Sequence, residues 1–137
     1  MSSTLSIPIR RAALAVCGLA LVGCIPGYAP TPTPMPSLEL VQRTPAAPCV
    51  ALLLPGMLDS PETFRRQGFA RLAAEKAPGL DVVAADAHFG YYRKNMILTR
   101  LHEDLVGPLQ EEGARVWLVG TSLGGIGSLL YARGKNG

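Results

Sequence analysis

The sequence contains little charge and few aromatic side chains. Only 17% of the 137 residues are charged, 6% are aromatic, and the formal net charge is +3. Domains that bind nucleic acids carry a concentrated basic patch, often interleaved with aromatic residues, and no such stretch is present. Hydrophobic residues make up 48% of the chain, which is typical of globular proteins. The composition therefore argues against nucleic acid as a partner and predicts one folded domain.

The sequence also lacks an apolar run long enough to be a permanent membrane span. The apolar segment Ala12–Gly23 is well short of the roughly 20 residues that a spanning helix needs. It follows Arg10 and Arg11, and a basic region before a short apolar region is typical of a secretory signal peptide. Residues 1–23 are therefore predicted to be a signal peptide that is removed from the mature protein.

The end of this segment, Leu21–Cys24, resembles the bacterial lipobox: an aliphatic residue, a variable position, a small residue and a cysteine. The resemblance implies that Cys24 is lipidated and becomes the mature N-terminus, and several acyl chains hold a protein firmly on a membrane. Ile25 follows instead of aspartate, which by the same resemblance favours the outer membrane. We expect a lipid-anchored, periplasm-facing protein of the bacterial envelope. An ordinary signal peptide with an incidental Cys24 is the alternative.

Cysteine is scarce in the rest of the chain. Cys17 lies in the predicted signal peptide and Cys24 at the predicted lipid site, so Cys49 is the remaining cysteine of the mature chain. An intramolecular disulfide is thereby excluded. Because Cys49 begins an apolar run, it is expected to be a small buried side chain rather than a catalytic thiol.

Proline is concentrated just after the predicted lipid site. Five prolines lie between residues 26 and 36, and each restricts its own φ angle and the conformation of the residue before it. Residues 24–37 are therefore predicted to form an extended, semi-rigid tether. The folded domain is predicted to comprise residues 38–137.

In this domain, predicted strands and helices alternate with short connections. The strands are predicted at residues 38–43, 49–54, 80–86 and 114–120, and the helices at 60–76, 95–113 with a kink at Gly107–Pro108, and 123–133. Continuous apolar runs favour strands that are buried on both faces, and parallel strands need helical crossovers. The order predicts an α/β fold with a parallel sheet and helices on both faces.

The segment Gly120-Thr121-Ser122-Leu123-Gly124 matches the G-x-S-x-G nucleophile elbow. It joins a predicted strand to a predicted helix, as that turn requires. The turn holds its serine in a strained backbone conformation and directs N–H groups at the helix start toward a developing oxyanion. Ser122 is therefore the predicted nucleophile, with Gly120 and Gly124 as the glycines that the turn needs. A glycine-rich turn without catalysis is the alternative, and neither the Rossmann nor the Walker spacing fits.

With this motif, residues from about 48 to 133 resemble the α/β-hydrolase family. The resemblance implies that the N–H groups of Met57, which follows Pro55–Gly56, and of Leu123 form the oxyanion hole. Asp86 and Gly90 resemble the pair that shapes the loop after the family's fourth strand. The family usually has histidine where Pro55 stands. The resemblance implies a small-molecule or lipid-like ester substrate, and no metal or cofactor.

The family's catalytic acid and base are missing from their usual positions. In that family the chain order is serine, then aspartate or glutamate, then histidine, and no such residue follows Ser122 here. His88 is expected to be a loop residue near the pocket mouth and His102 a helix residue. The family's later strands would follow Arg133, which would leave the last predicted strand as an apolar sheet edge. The sequence is therefore expected to be the N-terminal part of a larger hydrolase and inactive as this fragment.

Two classes of function are left open. The first is a membrane-anchored serine hydrolase, for which an acyltransferase or a thioesterase is a variant with the same catalytic groups. The second is a non-catalytic lipoprotein, or a degenerate hydrolase-like module that binds a ligand. The residues expected on the near side of the pocket are Asp59, Phe89, Tyr91 and Tyr92.

Overall fold

The computed structural model describes residues 29–41 and 48–134. The predicted signal peptide and Cys24 lie outside the described residues. The elements, in chain order, are β1 (Ser37–Val41), β2 (Cys49–Leu54), α1 (Pro61–Arg66), α2 (Phe69–Lys76), β3 (Leu80–Ala85), α3 (Phe89–Arg93), α4 (Ile97–Leu101), a π-helical segment (His102–Val106), α5 (Gly107–Glu111), β4 (Arg115–Gly120) and α6 (Leu123–Gly134). This alternation confirms the predicted α/β class.

The four strands form one mixed sheet in the order β1-β3-β2-β4. Strand β2 is parallel to both of its neighbours, β3 and β4, whereas β1 is antiparallel to β3. The prediction of a parallel sheet is therefore wrong for the first strand. Only residues 42–48 connect β1 to β2, and this is too short for the helical crossover that would return the chain in the same direction.

Apolar side chains alternate between the two faces of the sheet, and helices cover both. Helices α1 and α2 pack on one face, where Phe64 of α1 and the sheet residues Ala51, Leu53, Val82 and Ala84 form the smaller core. The helices from α3 to α6 pack on the other face, which contains the larger core. Strand β2 is an inner strand that is covered on both faces. Its residues 50–54 are all buried, as its continuous apolar sequence predicts.

Two predicted helices differ from the observed ones. The helix predicted over residues 60–76 is divided into α1 and α2, because Gly68 adopts a left-handed conformation with φ of 79°. The helix predicted over 95–113 widens into the π-helical segment just before Pro108. Proline has no N–H to donate and its ring collides with the carbonyl four residues earlier, so a wider turn accommodates it without a break.

Strand β4 is an edge strand of the sheet that the structure describes. Its outward side chains remain exposed, with Trp117 at 56% and Val119 at 47%, and Leu129 of α6 is 74% exposed. Unpaired apolar edges of this kind are prone to pairing with other chains. Among residues 29–41 and 48–134, no helix has the length and apolar character that a membrane crossing requires.

The part of the predicted tether that the structure describes lies on the domain. We call residues 29–36 the strap. Met35 is only 3% exposed and belongs to the larger core, and its N–H donates to Asp104 Oδ2 at 2.7 Å. The other oxygen of Asp104 accepts from Arg100 Nη1 at 3.0 Å. The strap is therefore joined to a carboxylate–guanidinium pair that is mostly buried.

Replacing Asp104 with asparagine is expected to lower the free energy of unfolding by about 2 kcal/mol. The Asp104 and Arg100 side chains are 8% and 14% exposed, so the variant leaves a shielded guanidinium without this partner. Glu103 also pairs with Arg100, and its retention limits the loss. Urea denaturation followed by circular dichroism measures the change.

The pair Arg71–Glu75 provides the control for this experiment. It has the same four-residue spacing, but its side chains are 77% and 49% exposed. Replacing Glu75 with glutamine is expected to change the stability by less than about 0.5 kcal/mol. Equal losses in the two variants would show that burial does not strengthen the Arg100–Asp104 pair.

The neighbouring residues Tyr91 and Tyr92 differ in their hydrogen bonding. Tyr91 Oη donates to the Pro32 carbonyl of the strap at 2.7 Å. Tyr92 Oη is buried against Gly127 and has no hydrogen-bond partner among the described residues. Burial is the main factor that raises the pKa of each hydroxyl to about 12. Both tyrosines therefore contribute to the core rather than to a polar surface.

The two tyrosines are expected to respond differently to replacement by phenylalanine. Tyr91→Phe should lower the free energy of unfolding by about 1 kcal/mol, because the Pro32 carbonyl loses its donor. Tyr92→Phe should leave the stability unchanged or raise it by up to about 1 kcal/mol, because it removes an unpaired buried hydroxyl. Thermal denaturation of both variants measures this, and a loss of similar size in both would contradict the assignment.

Candidate active site

The turn between β4 and α6 holds Ser122 in a left-handed backbone conformation, with φ of 49°. Left-handed geometry is unfavourable for a residue with a side chain, and such residues concentrate at functional sites. Ser122 is also exposed, so its hydroxyl is accessible. The structure thus gives Ser122 the backbone geometry that the G-x-S-x-G motif predicts.

The two glycines of the motif have no room for a side chain. A Cβ atom on Gly120 would collide with the backbone of Gly124 and Gly125. A Cβ atom on Gly124 would collide with the backbone of Leu54 and Pro55 at the end of β2. The close approach of α6 to β4 and to β2 therefore depends on both glycines.

Backbone hydrogen bonds fix the turn against the sheet. The Thr121 N–H donates to the Leu54 carbonyl at 3.2 Å, and the Gly124 N–H donates to the Thr121 carbonyl at 2.9 Å. Leu123 is the first residue of α6, so its N–H has no acceptor within the helix. A free N–H beside the serine, at the positive end of a helix, is suited to stabilise an oxyanion.

The loop after β2 lies beside this turn. A Cβ atom on Gly56 would lie 3.7 Å from both the carbonyl oxygen and the Oγ1 atom of Thr121, so the two loops are in contact distance. The next residue is Met57, the second predicted oxyanion donor, which is 46% exposed. The structure therefore places the loop that contains Met57 beside the turn that contains Ser122.

A cleft of about 560 Å³ lies at the same edge of the sheet. Its lining residues come from the strap, from the loop after β2 and from the loop after β3; they are Ala29, Pro30, Pro32, Met57, Leu58, Asp59, Ser60, Asp86 and His88. Asp59 was expected to line the pocket and does so. Tyr91 was expected there but is fully buried in the larger core, because it lies within α3 on the side of that helix that packs against the sheet.

His88 lies at the rim of this cleft, where its side chain holds the surrounding backbone in place. Its Nδ1 accepts from the Gly90 N–H at 3.1 Å and caps α3, and its Nε2 lies 2.9 Å from the Pro30 carbonyl, to which it donates. A Cβ atom on Gly90 would press into the imidazole ring. Both ring nitrogens are therefore engaged, and His88 shapes the loop that Gly90 was predicted to shape.

His102 lies on the π-helical segment, where its Nδ1 is 2.7 Å from the hydroxyl of Tyr131. Tyr131 is near the end of α6, and burial raises its pKa. Ser122 precedes the start of the same helix, so about nine residues, or roughly 13 Å of helix, separate the two positions. Among the described residues, no group of three or more potential ligands is arranged to hold a metal ion.

The sequence did not indicate that the strap contributes to the cleft. Ala29, Pro30 and Pro32 have no motif of their own, and a proline-rich stretch is typical of a tether. The one signal that the strap packs on the domain is Met35, an apolar residue among prolines, which the structure buries.

Comparison with models of protein families, with curated protein sequences and with solved structures finds no match for this chain. The functional assignment therefore depends on the geometry of the site.

Proposed function

We propose that this chain carries the nucleophile and the oxyanion hole of a serine hydrolase of the α/β-hydrolase type. The observation that supports it most is the left-handed conformation of Ser122 between Gly120 and Gly124, where neither glycine has space for a side chain. A strained, exposed serine between a β-strand and a helix is the arrangement that nucleophile elbows use. The parallel pairing of β3, β2 and β4 is compatible with such a fold.

In the proposed reaction, Ser122 Oγ bonds to the carbonyl carbon of an ester while its proton passes to a general base. The carbonyl oxygen becomes an oxyanion, which the N–H groups of Leu123 and Met57 stabilise. Collapse of this intermediate releases the alcohol, which takes up the proton, and leaves an acyl-enzyme. Water then releases the acid. Transfer of the acyl group to another alcohol, or cleavage of a thioester, uses the same groups.

The reaction needs a base that the described residues do not offer at Ser122. Both ring nitrogens of His88 are engaged by the strap and by α3, and His102 pairs with Tyr131. These contacts favour a second candidate, in which the chain is a non-catalytic module that binds an ester-like ligand in the cleft. The two candidates differ in whether Ser122 becomes acylated.

Attachment to the membrane through a lipid on Cys24 is part of the proposal. It is supported by the signal-like N-terminal segment and by the lipobox-like sequence Leu21–Cys24. Several acyl chains would retain the protein at an envelope membrane, with the domain in the periplasm.

The proposal is tested on the protein as it occurs in the membranes of its own host. The membranes are treated with a fluorophosphonate probe, and intact mass and peptide mapping identify the modified residue. A phosphonate on Ser122 is the result expected for a hydrolase, and a heat-denatured sample is the control that should stay unlabelled. A lipidated protein without the label would support the binding module instead.

A further inference from the structure

The strap is attached to the domain along most of its length. Four domain side chains form hydrogen bonds with it: His88 with the Pro30 carbonyl at 2.9 Å, Lys94 with Thr31 Oγ1 at 2.7 Å, Tyr91 with the Pro32 carbonyl at 2.7 Å, and Asp104 with the Met35 N–H at 2.7 Å. Because Met35 is also buried in the core, the strap is part of the folded domain. It therefore adds no length to the chain that would link the domain to the lipid.

The chain between the proposed lipid site and the strap is short. Ala29 is five residues after Cys24, and five residues span at most about 18 Å even when fully extended. A small domain is roughly 30 Å across. A lipid on Cys24 is therefore within reach of the side of the domain where the strap begins, but not of the opposite side.

The strap begins at the cleft, which lies at the same edge of the sheet as Ser122 but is not lined by it. Ala29 and Pro30 form part of the cleft wall, and Met57 and Leu58 form another part. Leu58 is 83% exposed and Met57 is 46% exposed, so the rim carries two apolar side chains that water solvates poorly. Transfer of such side chains from water to the boundary between lipid headgroups and acyl chains is favourable.

We infer that the cleft side of the domain is a membrane-contact surface, on which Met57 and Leu58 enter the bilayer that holds the lipid of Cys24. The cleft then opens onto lipid, and its substrates are acyl esters of membrane phospholipids. The inference rests on the proposed lipidation and hydrolase function. Because Asp59 and Asp86 also line the cleft, zwitterionic headgroups are preferred over anionic ones.

The test measures how close Leu58 lies to lipid. The full-length lipidated protein carries Trp117→Phe, which removes the one tryptophan of these 137 residues, together with Leu58→Trp. It is reconstituted into phosphatidylcholine vesicles with or without brominated acyl chains, which quench tryptophan at the bilayer. Fluorescence is expected to fall about twofold or more in the brominated vesicles. Leu72→Trp is the control, because Leu72 is 52% exposed on α2.

Two further measurements separate the possible causes of failure. Intact mass establishes that the same sample is lipidated. The quenching measurement is repeated with Ser122→Ala, and the same quenching is expected because contact with lipid requires no catalysis. With lipidation established, equal quenching at positions 58 and 72 overturns the inference, whatever the labelling of Ser122 shows. A flexible insert of about 20 Gly/Ser residues after Gly27 should abolish the difference between these positions. A difference that survives the insertion also overturns it, because the short tether then does not orient the domain.

Discussion

Replacement of Ser122 by either alanine or glycine is expected to abolish fluorophosphonate labelling, and the glycine variant should be the more stable by about 1 kcal/mol. Both variants lack the hydroxyl that would attack the probe. Alanine keeps the Cβ atom that makes φ of 49° unfavourable, whereas glycine adopts this conformation without strain. Labelling in host membranes and urea denaturation measure the two effects.

Ser128→Ala is the matched control for this experiment. Ser128 belongs to α6, the helix that begins just after Ser122, and its Oγ donates to the Gly124 carbonyl at 3.0 Å. Its loss should leave the labelling in place. If the alanine and glycine variants of Ser122 are equally stable, the turn does not hold strain at this residue. Labelling that persists in both variants would exclude Ser122 as the nucleophile.

Gly124→Ala is expected to lower the free energy of unfolding by about 3 kcal/mol or more. The added methyl group would overlap the backbone at the end of β2, at Leu54 and Pro55. A backbone in the middle of the sheet cannot rotate away as a flexible side chain can, so α6 must move off the sheet. Because this movement displaces Ser122, labelling should be lost together with stability.

Gly134→Ala provides the comparison on the same helix. A Cβ atom on Gly134 would meet no atom within 4 Å, and alanine favours a helix more than glycine does. Its stability should change by less than about 0.5 kcal/mol. A loss below about 1 kcal/mol for Gly124→Ala would mean that α6 has room to shift, and that the glycine is not needed for the turn.

Together, the two experiments separate the chemistry of the turn from its architecture. The Ser122 variants remove the reactive atom and leave the packing, whereas Gly124→Ala leaves the serine and disturbs the packing. A module that only binds a ligand would show the stability changes without any labelling to lose. A hydrolase should show both effects.

Local sequence predicted the elements that carry most of the site. The apolar runs at β2, β3 and β4 lie where the strands are observed, and the motif around Ser122 lies between β4 and α6. Local sequence did not predict the short helix α3, because its capping residue, His88, depends on a contact with Pro30 that is distant in sequence. It also missed the division of the first helix at Gly68, where a single left-handed residue decides the break.

The sequence by itself determined the α/β class, the strand–turn–helix around Ser122 and the need for glycine on either side of it. These features depend on hydrophobic periodicity and on backbone sterics within a few residues, which a local sequence contains. Only the tertiary structure decided that β1 runs antiparallel and that the strap forms part of the cleft wall. These features depend on the pairing of β1 with β3 and on contacts such as that of Met35 with Asp104, which lie 69 residues apart.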